Sequence, residues 1–253
     1  MATKAQVAAV VVANLQQALE TADEISLVEN VRKYAAAKGM ITDIPRYARL
    51  RLTSAEKAWA AVLFMDMRDS TARAKAVGAR ATFVTMHALL PAMALLVNDA
   101  GGYIVGFRGD GLFAAFGIDE YATNPAGRSK GEAVQGAAVC GQTMLEAVAD
   151  VVNPLLARFE LPAGVRIGVG VDQGEIVITR IGLDDAHEVT AYGDAVNTAS
   201  KLCDQADGSV VISPACLGSY PSGPGGMTRL KPTYGSPPGH AVVFPWRMLG
   251  EGS

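Results

Sequence analysis

Cysteine, histidine and aromatic residues are scarce in this chain of 253 residues, and neither sign of charge dominates. The three cysteines form no CxxC pair and no metal-binding spacing, so we expect reduced thiols and a cytoplasmic protein. The three histidines also lack the spacing of metal ligands. A formal net charge of −3 disfavours a nucleic-acid-binding surface, so we expect no nucleic acid as a partner.

Long hydrophobic runs are missing as well. The stretch VAAVVVANL near the start falls short of the roughly 20 residues that a membrane span needs. It also lacks the basic region and cleavage site of a signal peptide, so no membrane association is expected. Neither a G-x-S-x-G elbow nor a P-loop is present, which excludes those hydrolase and nucleotide-binding patterns.

The beginning of the chain has a composition of its own. Residues 2 to 38 are rich in Ala, Val, Leu, Gln and Glu, which predicts a helix. Its apolar face must pack on the rest of the chain or on a second copy, and it comprises Val7, Val11, Leu15 and Leu19. Residues 40 to 57 are basic and contain Pro45, which predicts a connector. We therefore expect a helical extension with its connector over residues 1–50 and a main domain over 51–253.

The main domain alternates between strand and helix patterns. Two long helical patterns are expected to bend or break, the first near Gly78 or Pro91 and the second near Pro154. The segments VRIGVGVD and EIVITRIG predict a hairpin that turns at Gln173-Gly174. The order of elements predicts an α+β fold, a ferredoxin-like βαββαβ mixed sheet with flanking helices.

Two aspartates stand at the ends of predicted strands. In AAVLFMDMRDST, residues 60–71, an apolar run ends on Asp66 and a helical pattern opens at Ser70. In GGYIVGFRGDGLFAAFG, residues 101–117, Asp110 lies at the turn of a hairpin. If the two strands are neighbours, both carboxylates meet at one edge of the sheet. Paired oxygen ligands above a helix N-terminus predict a site for Mg²⁺ or Mn²⁺ that carries a triphosphate.

The segments FMDMRDST, FRGDGLFAAF and TAYGDAVNTASKL resemble the three signature segments of class III nucleotidyl cyclase catalytic domains. They occur in the family's order, and the resemblance extends from about Trp59 to Tyr220. It implies two divalent cations, Mn²⁺ or Mg²⁺, on Asp66, Asp110 and the Met67 carbonyl. It also implies phosphate binding by Arg68, Ser70 and Thr71, ribose orientation by Asn197, and a catalytic cation at Lys201.

Several positions depart from the family pattern. Lys201 stands where the family usually has Arg, and Lys lacks the bidentate fork of a guanidinium. Asp69 replaces a common Gly and adds a negative charge near the phosphates. Gly106 stands where purine cyclases have an adenine-reading Lys, and Thr190 occupies the other base-reading position. The side chains close enough in sequence to reshape this base pocket are Arg68, Phe107, Arg108 and Tyr192.

With these departures, the sequence resembles the pyrimidine cyclases of bacterial Pycsar anti-phage systems, which make cyclic UMP or cyclic CMP. The resemblance implies a head-to-tail homodimer with composite sites and favours UTP as the nucleoside triphosphate substrate. The alternative is an adenylate cyclase with a relaxed pocket. A degenerate cyclase-like module that only binds or dimerises is disfavoured, because both aspartates, the Asn and a cation are present.

Overall fold

The computed structural model describes residues 2–24, 39–118, 130–218, 220 and 229–250. An 8-stranded sheet has the order β2-β3-β1-β4-β6-β8-β7, with β5 paired to β4. The strands are β1 Ala55–Met67, β2 Gly102–Arg108, β3 Gly111–Phe116, β4 Ile167–Leu183, β5 Ala186–Tyr192, β6 Val210–Ile212, β7 Arg229–Thr233 and β8 Gly239–Val243. The helices are α1 Lys4–Glu24, α2 Pro45–Ala48, α3 Ser70–Asp99, α4 Lys130–Ala147, α5 Asn153–Arg158, α6 Asp194–Gln205 and α7 Pro214–Leu217.

Strand β1 is the central element, because it pairs with β3 on one side and with β4 on the other. Its apolar run is buried on both faces, as a near-continuous apolar strand should be. Ala61 and Leu63 face one core, whereas Ala60 and Val62 face the other. The chain order β1-α3-β2-β3-α4-β4, with β2-β3-β1-β4 as spatial order, confirms the predicted α+β ferredoxin-like core.

Helices α1, α3 and α4 cover the first face of the sheet. Val7, Val11 and Leu15 of α1 are fully buried in this core, so the apolar face of α1 packs on the main domain of its own chain. The expected continuation of this helix to residue 38 lies outside the described residues. The proposed division at residue 50 stays a prediction.

Helix α3 breaks at Gly78, whose backbone has φ 82° and ψ 169°. Glycine adopts such a conformation at little cost, so the predicted bend falls at Gly78, while Pro91 lies inside the helix. Among the described residues α3 alone is long and apolar enough to cross a membrane. Its apolar side chains from Val84 to Val97 are largely buried in the core. A helix buried in a protein core has the same apolar composition as a membrane-spanning helix. The expected absence of a membrane span stays a prediction.

Residues 41–50 and α6 cover the second face of the sheet, and Val189 and Ala191 of β5 belong to the same core. A 3₁₀ turn, Ile41–Asp43, precedes α2, so part of the expected connector is structured. On the first face, a π turn, Val148–Val152, separates α4 from α5 just before Pro154. That break agrees with the expected interruption of the second long helix.

The predicted hairpin at Gln173-Gly174 is wrong. Strand β4 runs through both residues without turning, and they pair with Ala61 and Ala60 of β1. A side chain on Gly174 would come within 3.2 Å of the Ala195 side chain, so this glycine makes room for α6. The chain turns instead after Leu183, and β4 forms its hairpin with β5.

Candidate active site

The two aspartates paired in the sequence analysis lie close together. Asp66 is the penultimate residue of β1, and Asp110 lies between β2 and β3. Met65 pairs with Leu112, which brings the tip of the hairpin next to Asp66. A side chain on Gly111 would collide with the Met65 carbonyl oxygen and come within 2.7 Å of Asp66 Oδ1. Glycine after Asp110 therefore lets both carboxylates share this edge of the sheet.

The charges of this pair are only partly compensated by protein groups. Burial raises the pKa of the half-buried Asp66 carboxyl, and the negative charge of Asp110 raises it further. The Arg68 guanidinium opposes this shift, because its Nη2 lies 2.9 Å from Asp66 Oδ2. Asp110 Oδ2 is buried and has no hydrogen-bond partner among the residues that the structure describes.

An unpartnered buried carboxylate oxygen beside a second carboxylate fits a divalent cation, which prefers hard oxygen ligands. Within the described ranges, no group of three His, Cys, Asp or Glu side chains could hold a metal ion by itself. Magnesium is commonly held by one or two carboxylates together with substrate phosphates and water. The donor set of Asp66, Asp110 and the Met67 carbonyl therefore suits an ion that arrives with a triphosphate.

A cavity of about 310 Å³ adjoins the carboxylates, and Met67, Ser70, Thr71 and Asp110 are among its lining residues. Ser70 and Thr71 open α3, so their amides have no partner within the helix. A helix N-terminus attracts anions through these amides and through the helix dipole. The cavity thus places an anion-binding helix end beside the acidic pair, as expected for a bound triphosphate.

Asp69 has the left-handed conformation, with φ 56° and ψ 27°, which glycine adopts more easily. Its carboxylate pairs with Arg166, which also lies 2.6 Å from Asp207. The ion pair with Arg166 offsets part of the negative charge that Asp69 adds near the expected position of the phosphates.

Arg68 links the acidic pair to α6. Its Nη2 donates to Asp66, and its Nη1 donates to the Asp204 carbonyl oxygen at 3.2 Å. The side chain is largely buried, with 15% of its surface exposed. In this structure Arg68 is therefore a counter-ion of Asp66, and its expected contact with phosphate stays a prediction.

Helix α6 carries Asn197 and Lys201 on an exposed face, while Ala195, Ala199 and Leu202 are buried. The helix lies directly on β4, because side chains on Gly168 and Gly170 would collide with its carbonyl oxygens. Its C-terminal end approaches Arg68, as described above. Asn197 is seven residues before Asp204, about 10 Å away along a helix axis. Asn197 therefore lies about two helical turns from the point where α6 contacts Arg68.

Strands β2 and β5 bring the expected base-binding residues together. Arg108 Nη2 donates to the hydroxyl of the buried Thr190 at 2.9 Å. The Arg108 guanidinium also lies over Gly106, where an added Cβ would be 3.6 Å from Nη1. The pairing of β2 with β3 shifts in register between Ile104 and Gly106, as at a β-bulge. Such irregularities often change the direction of side chains beside active sites. Arg108 thus occupies the space that a long side chain at position 106 would fill.

Phe107 and Tyr192 flank this cluster in sequence and are exposed at 44% and 52%. Large exposed aromatic side chains are uncommon on a surface that contacts only water. Both therefore suit contact with a ligand or a second subunit better than packing within the chain.

The profile described as "Adenylate and Guanylate cyclase catalytic domain" matches residues 52–217, well over half of the chain. The chain belongs to this class III cyclase family. A uridylate cyclase of Rhodovulum sp. (strain MB263) is 28% identical over 158 residues, and the match covers 59% of this chain and 59% of that protein. An adenylate cyclase of Anabaena cylindrica is 28% identical over 141 residues, covering 56% of this chain and 26% of that protein.

The solved structures agree with the cyclase fold. The adenylyl cyclase structure from P. aeruginosa has a TM-score of 0.65 and 21% identity, and the match covers 78% of this chain and 100% of that one. At this identity the likeness shows the fold alone. The chain matches no more than about three fifths of the length of the two relatives above, 59% and 26%.

Sequence reasoning missed two polar residues of this cyclase domain, Arg166 and Glu188. Glu188 lies 3.2 Å from Arg108 and was missed because the hairpin was placed at Gln173-Gly174 instead of between β4 and β5. Arg166 binds Asp69 across about a hundred residues of chain, and no local pattern indicates such a partner.

Proposed function

We propose that this chain converts a nucleoside triphosphate, preferentially UTP, to the 3′,5′-cyclic monophosphate with release of pyrophosphate. The observation that carries the proposal is the buried, unpartnered Asp110 Oδ2 beside the half-buried Asp66 carboxylate. Two carboxylates at the start of α3 form a site that a divalent cation and its triphosphate would complete.

Asp66, Asp110 and the Met67 carbonyl would hold two ions, Mn²⁺ or Mg²⁺. When bound, these ions lower the pKa of the ribose 3′-hydroxyl and neutralise the triphosphate and the departing pyrophosphate. The amides and hydroxyls of Ser70 and Thr71 bind phosphate oxygens at the N-terminus of α3. The chain therefore supplies position and charge, which phosphoryl transfer mainly requires.

The other half of the chemistry falls to the exposed face of α6. Asn197 hydrogen-bonds and orients the ribose, and the Lys201 ammonium stabilises negative charge that develops on the α-phosphate. Lys is a point charge without the planar fork of Arg, so Lys201 directs this contact less strictly. We propose that α6 comes from a second subunit, in a head-to-tail homodimer with two composite sites. Its exposed polar face, directed away from its own sheet, supports this arrangement.

The preference for UTP rests on the base pocket and on the relatives. Gly106 removes the adenine-reading side chain of purine cyclases, and Arg108 lies over that space. The Rhodovulum relative is named a uridylate cyclase. An adenylate cyclase is the second candidate, because the Anabaena relative has that name and the same 28% identity.

The test is an incubation of pure protein with equal concentrations of the four NTPs and Mn²⁺ or Mg²⁺, with the cyclic products identified by mass. Asp66→Ala serves as the control for contaminating cyclases. Mainly cyclic UMP supports the proposal, whereas mainly cyclic AMP rejects the base preference and leaves cyclisation standing. No cyclic product with either ion rejects cyclisation and favours a nucleotide-binding module.

The proposal extends to a cytoplasmic second messenger in anti-phage defence, which rests on the resemblance to the Pycsar enzymes. Cells that express the chain should accumulate its cyclic nucleotide after phage infection, and Asp66→Ala cells should not. Equal cyclic nucleotide levels before and after infection would argue against the defence role. Cell fractionation would test the location.

A further inference from the structure

We propose that Glu188 orients Arg108, and that the Arg108 guanidinium contacts one edge of the nucleobase. Because a guanidinium only donates hydrogen bonds, it selects a base that has a carbonyl oxygen at the contacted edge. The inference rests on the proposed cyclase function and concerns the same site. It assigns to Glu188 a role as a positioning residue, and it predicts the direction in which base preference changes when the pair is altered.

The contacts of Arg108 fix its orientation. Its Nη1 and Nη2 donate to the two carboxylate oxygens of Glu188, each at 3.2 Å, in a bidentate arrangement. Nη2 also donates to the Thr190 hydroxyl at 2.9 Å. Thr190 is buried, so one end of this network is anchored inside the protein. Two strands distant in sequence thus hold one guanidinium in a single plane.

The fixed guanidinium keeps donors to spare. A guanidinium has five N–H donors and no acceptor. Among the residues that the structure describes, Glu188 and Thr190 use three of them, which leaves the Nε–H and one Nη1 hydrogen. The Arg108 side chain is 45% exposed, so a ligand can approach it. Beside it, the three atoms nearest to a Cβ added at Gly106 all belong to the Arg108 guanidinium, the closest at 3.6 Å.

An exposed aromatic side chain lies on the same face of β5 as the two partners of Arg108. Side chains two residues apart in a strand point to the same face, so Glu188, Thr190 and Tyr192 of β5 share one face. Tyr192 is exposed at 52%. A flat exposed ring beside a polar group that fixes orientation is typical of a base-binding surface. The Tyr192 ring would stack on the base while Arg108 contacts its edge.

The chemistry of the bases then gives the direction of selection. Uracil presents the carbonyl oxygen O4, where cytosine presents the amino group N4 and adenine the amino group N6. Spare N–H donors bind a carbonyl oxygen and oppose an amino group. Guanine also offers an acceptor, O6, but its bicyclic ring is larger. Arg108 therefore favours UTP over CTP and ATP, and ring size separates UTP from GTP.

Glu188 allows a sharp test, because both of its carboxylate oxygens accept hydrogen bonds from Arg108. If Arg108 is replaced by Met, the carboxylate of Glu188 loses its partner and is left to accept hydrogen bonds from an amino group. The preference should then shift from UTP towards CTP and ATP. A hydrogen bond to a charged group is worth about 10- to 100-fold in an equilibrium constant.

The experiment compares wild type, Arg108→Met, Arg108→Lys and Glu188→Gln with equal NTP concentrations. It records the ratio of cyclic UMP to cyclic CMP, together with the affinity for 3′-deoxy-UTP and 3′-deoxy-CTP, which cannot cyclise. The matched control is Glu175→Gln, which breaks the exposed Lys57–Glu175 pair at 2.8 Å outside the proposed site. Melting temperatures verify that each variant folds.

We expect the cyclic UMP to cyclic CMP ratio to fall about 10-fold or more in Arg108→Met. Smaller falls are expected in Arg108→Lys and Glu188→Gln, and none in Glu175→Gln. The 3′-deoxynucleotide affinities should change in the same direction. Unchanged ratios and affinities in folded Arg108→Met and Glu188→Gln would overturn the inference, even if turnover falls. If the wild type prefers ATP, UTP is rejected as the proposed substrate. If the wild type forms no cyclic product, cyclisation is rejected. In both cases the affinities for 3′-deoxy-UTP and 3′-deoxy-CTP still test the role of Arg108.

Discussion

The composite site is the feature of the proposed mechanism that a mixing experiment tests most directly. Asp66→Ala removes one carboxylate of the acidic pair, and Asn197→Ala removes the ribose contact on α6. Asn197 is exposed, so its replacement should leave the fold intact. Each variant alone should be inactive, because each abolishes both sites of its homodimer. A mixture of the two should recover activity.

The size of the recovery follows from the symmetry. Random exchange of equal amounts gives heterodimers as half of all dimers, and each heterodimer has one intact and one doubly defective site. The mixture should thus reach about a quarter of the wild-type activity per chain. Arg68 donates to the Asp204 carbonyl oxygen of α6, about 10 Å along the helix axis from Asn197.

The assay is cyclic nucleotide formation after the two variants have been mixed and given time to exchange. Wild type mixed with the double variant Asp66→Ala/Asn197→Ala is the control, because those heterodimers contain no intact site. Its activity should fall on exchange to about half of the value before exchange. Mixed dimers seen by native mass spectrometry but without recovered activity would refute the composite site, as would full activity of a diluted monomer.

Three further results are expected. Asp110→Asn should abolish turnover and also the stabilisation by divalent ions. In the wild type this stabilisation is about 2.7 kcal/mol when the ion concentration is 100 times the dissociation constant. A melting temperature of the variant that still rises with Mn²⁺ would contradict the metal assignment. Gly78→Ala should lower the free energy of unfolding, measured by urea unfolding, by about 1–3 kcal/mol, because φ 82° strains a residue with a Cβ. Unchanged stability would mean that α3 straightens without cost. Burial raises the pKa of Asp172, although hydrogen bonds from Ser213, Gln173 and Thr198 oppose the shift. A raised folded pKa gives stability that is present below the unfolded pKa and is lost as the pH rises through the folded value. Asp172→Asn should therefore show a flatter stability profile from acid to neutral pH in urea titrations, and an equally steep decline would assign the slope to another group.

Much of the architecture could be predicted because it depends on local patterns. The apolar run that ends on Asp66 predicted a strand, and that strand lies at the centre of the sheet and is buried on both faces. The Asp-Gly turn at Asp110 predicted a hairpin, and pairing of β1 with β3 places it beside Asp66. The apolar spacing on α1 predicted a buried face, although not which surface it would meet.

Glycine caused the main error, because its chemistry suits two situations that a sequence does not distinguish. Gly174 was taken for a turn residue, yet it lies within β4 and makes room for Ala195 of α6. The same need for close approach explains Gly168 and Gly170. The misplaced hairpin also concealed β5 as the partner of β4, and with it Glu188.

The sequence by itself determined most of the order of helices and strands, apart from the hairpin at Gln173-Gly174, and the pairing of the two aspartates. These follow from the periodicity of helices and strands and from turn chemistry, which act over a few residues. Only the tertiary structure decided what surrounds those groups: Arg166 beside Asp69, Arg68 between Asp66 and Asp204, and Glu188 on Arg108. These partners are separated by up to about 140 residues of chain, and their contacts depend on how strands and helices pack, which no local pattern encodes.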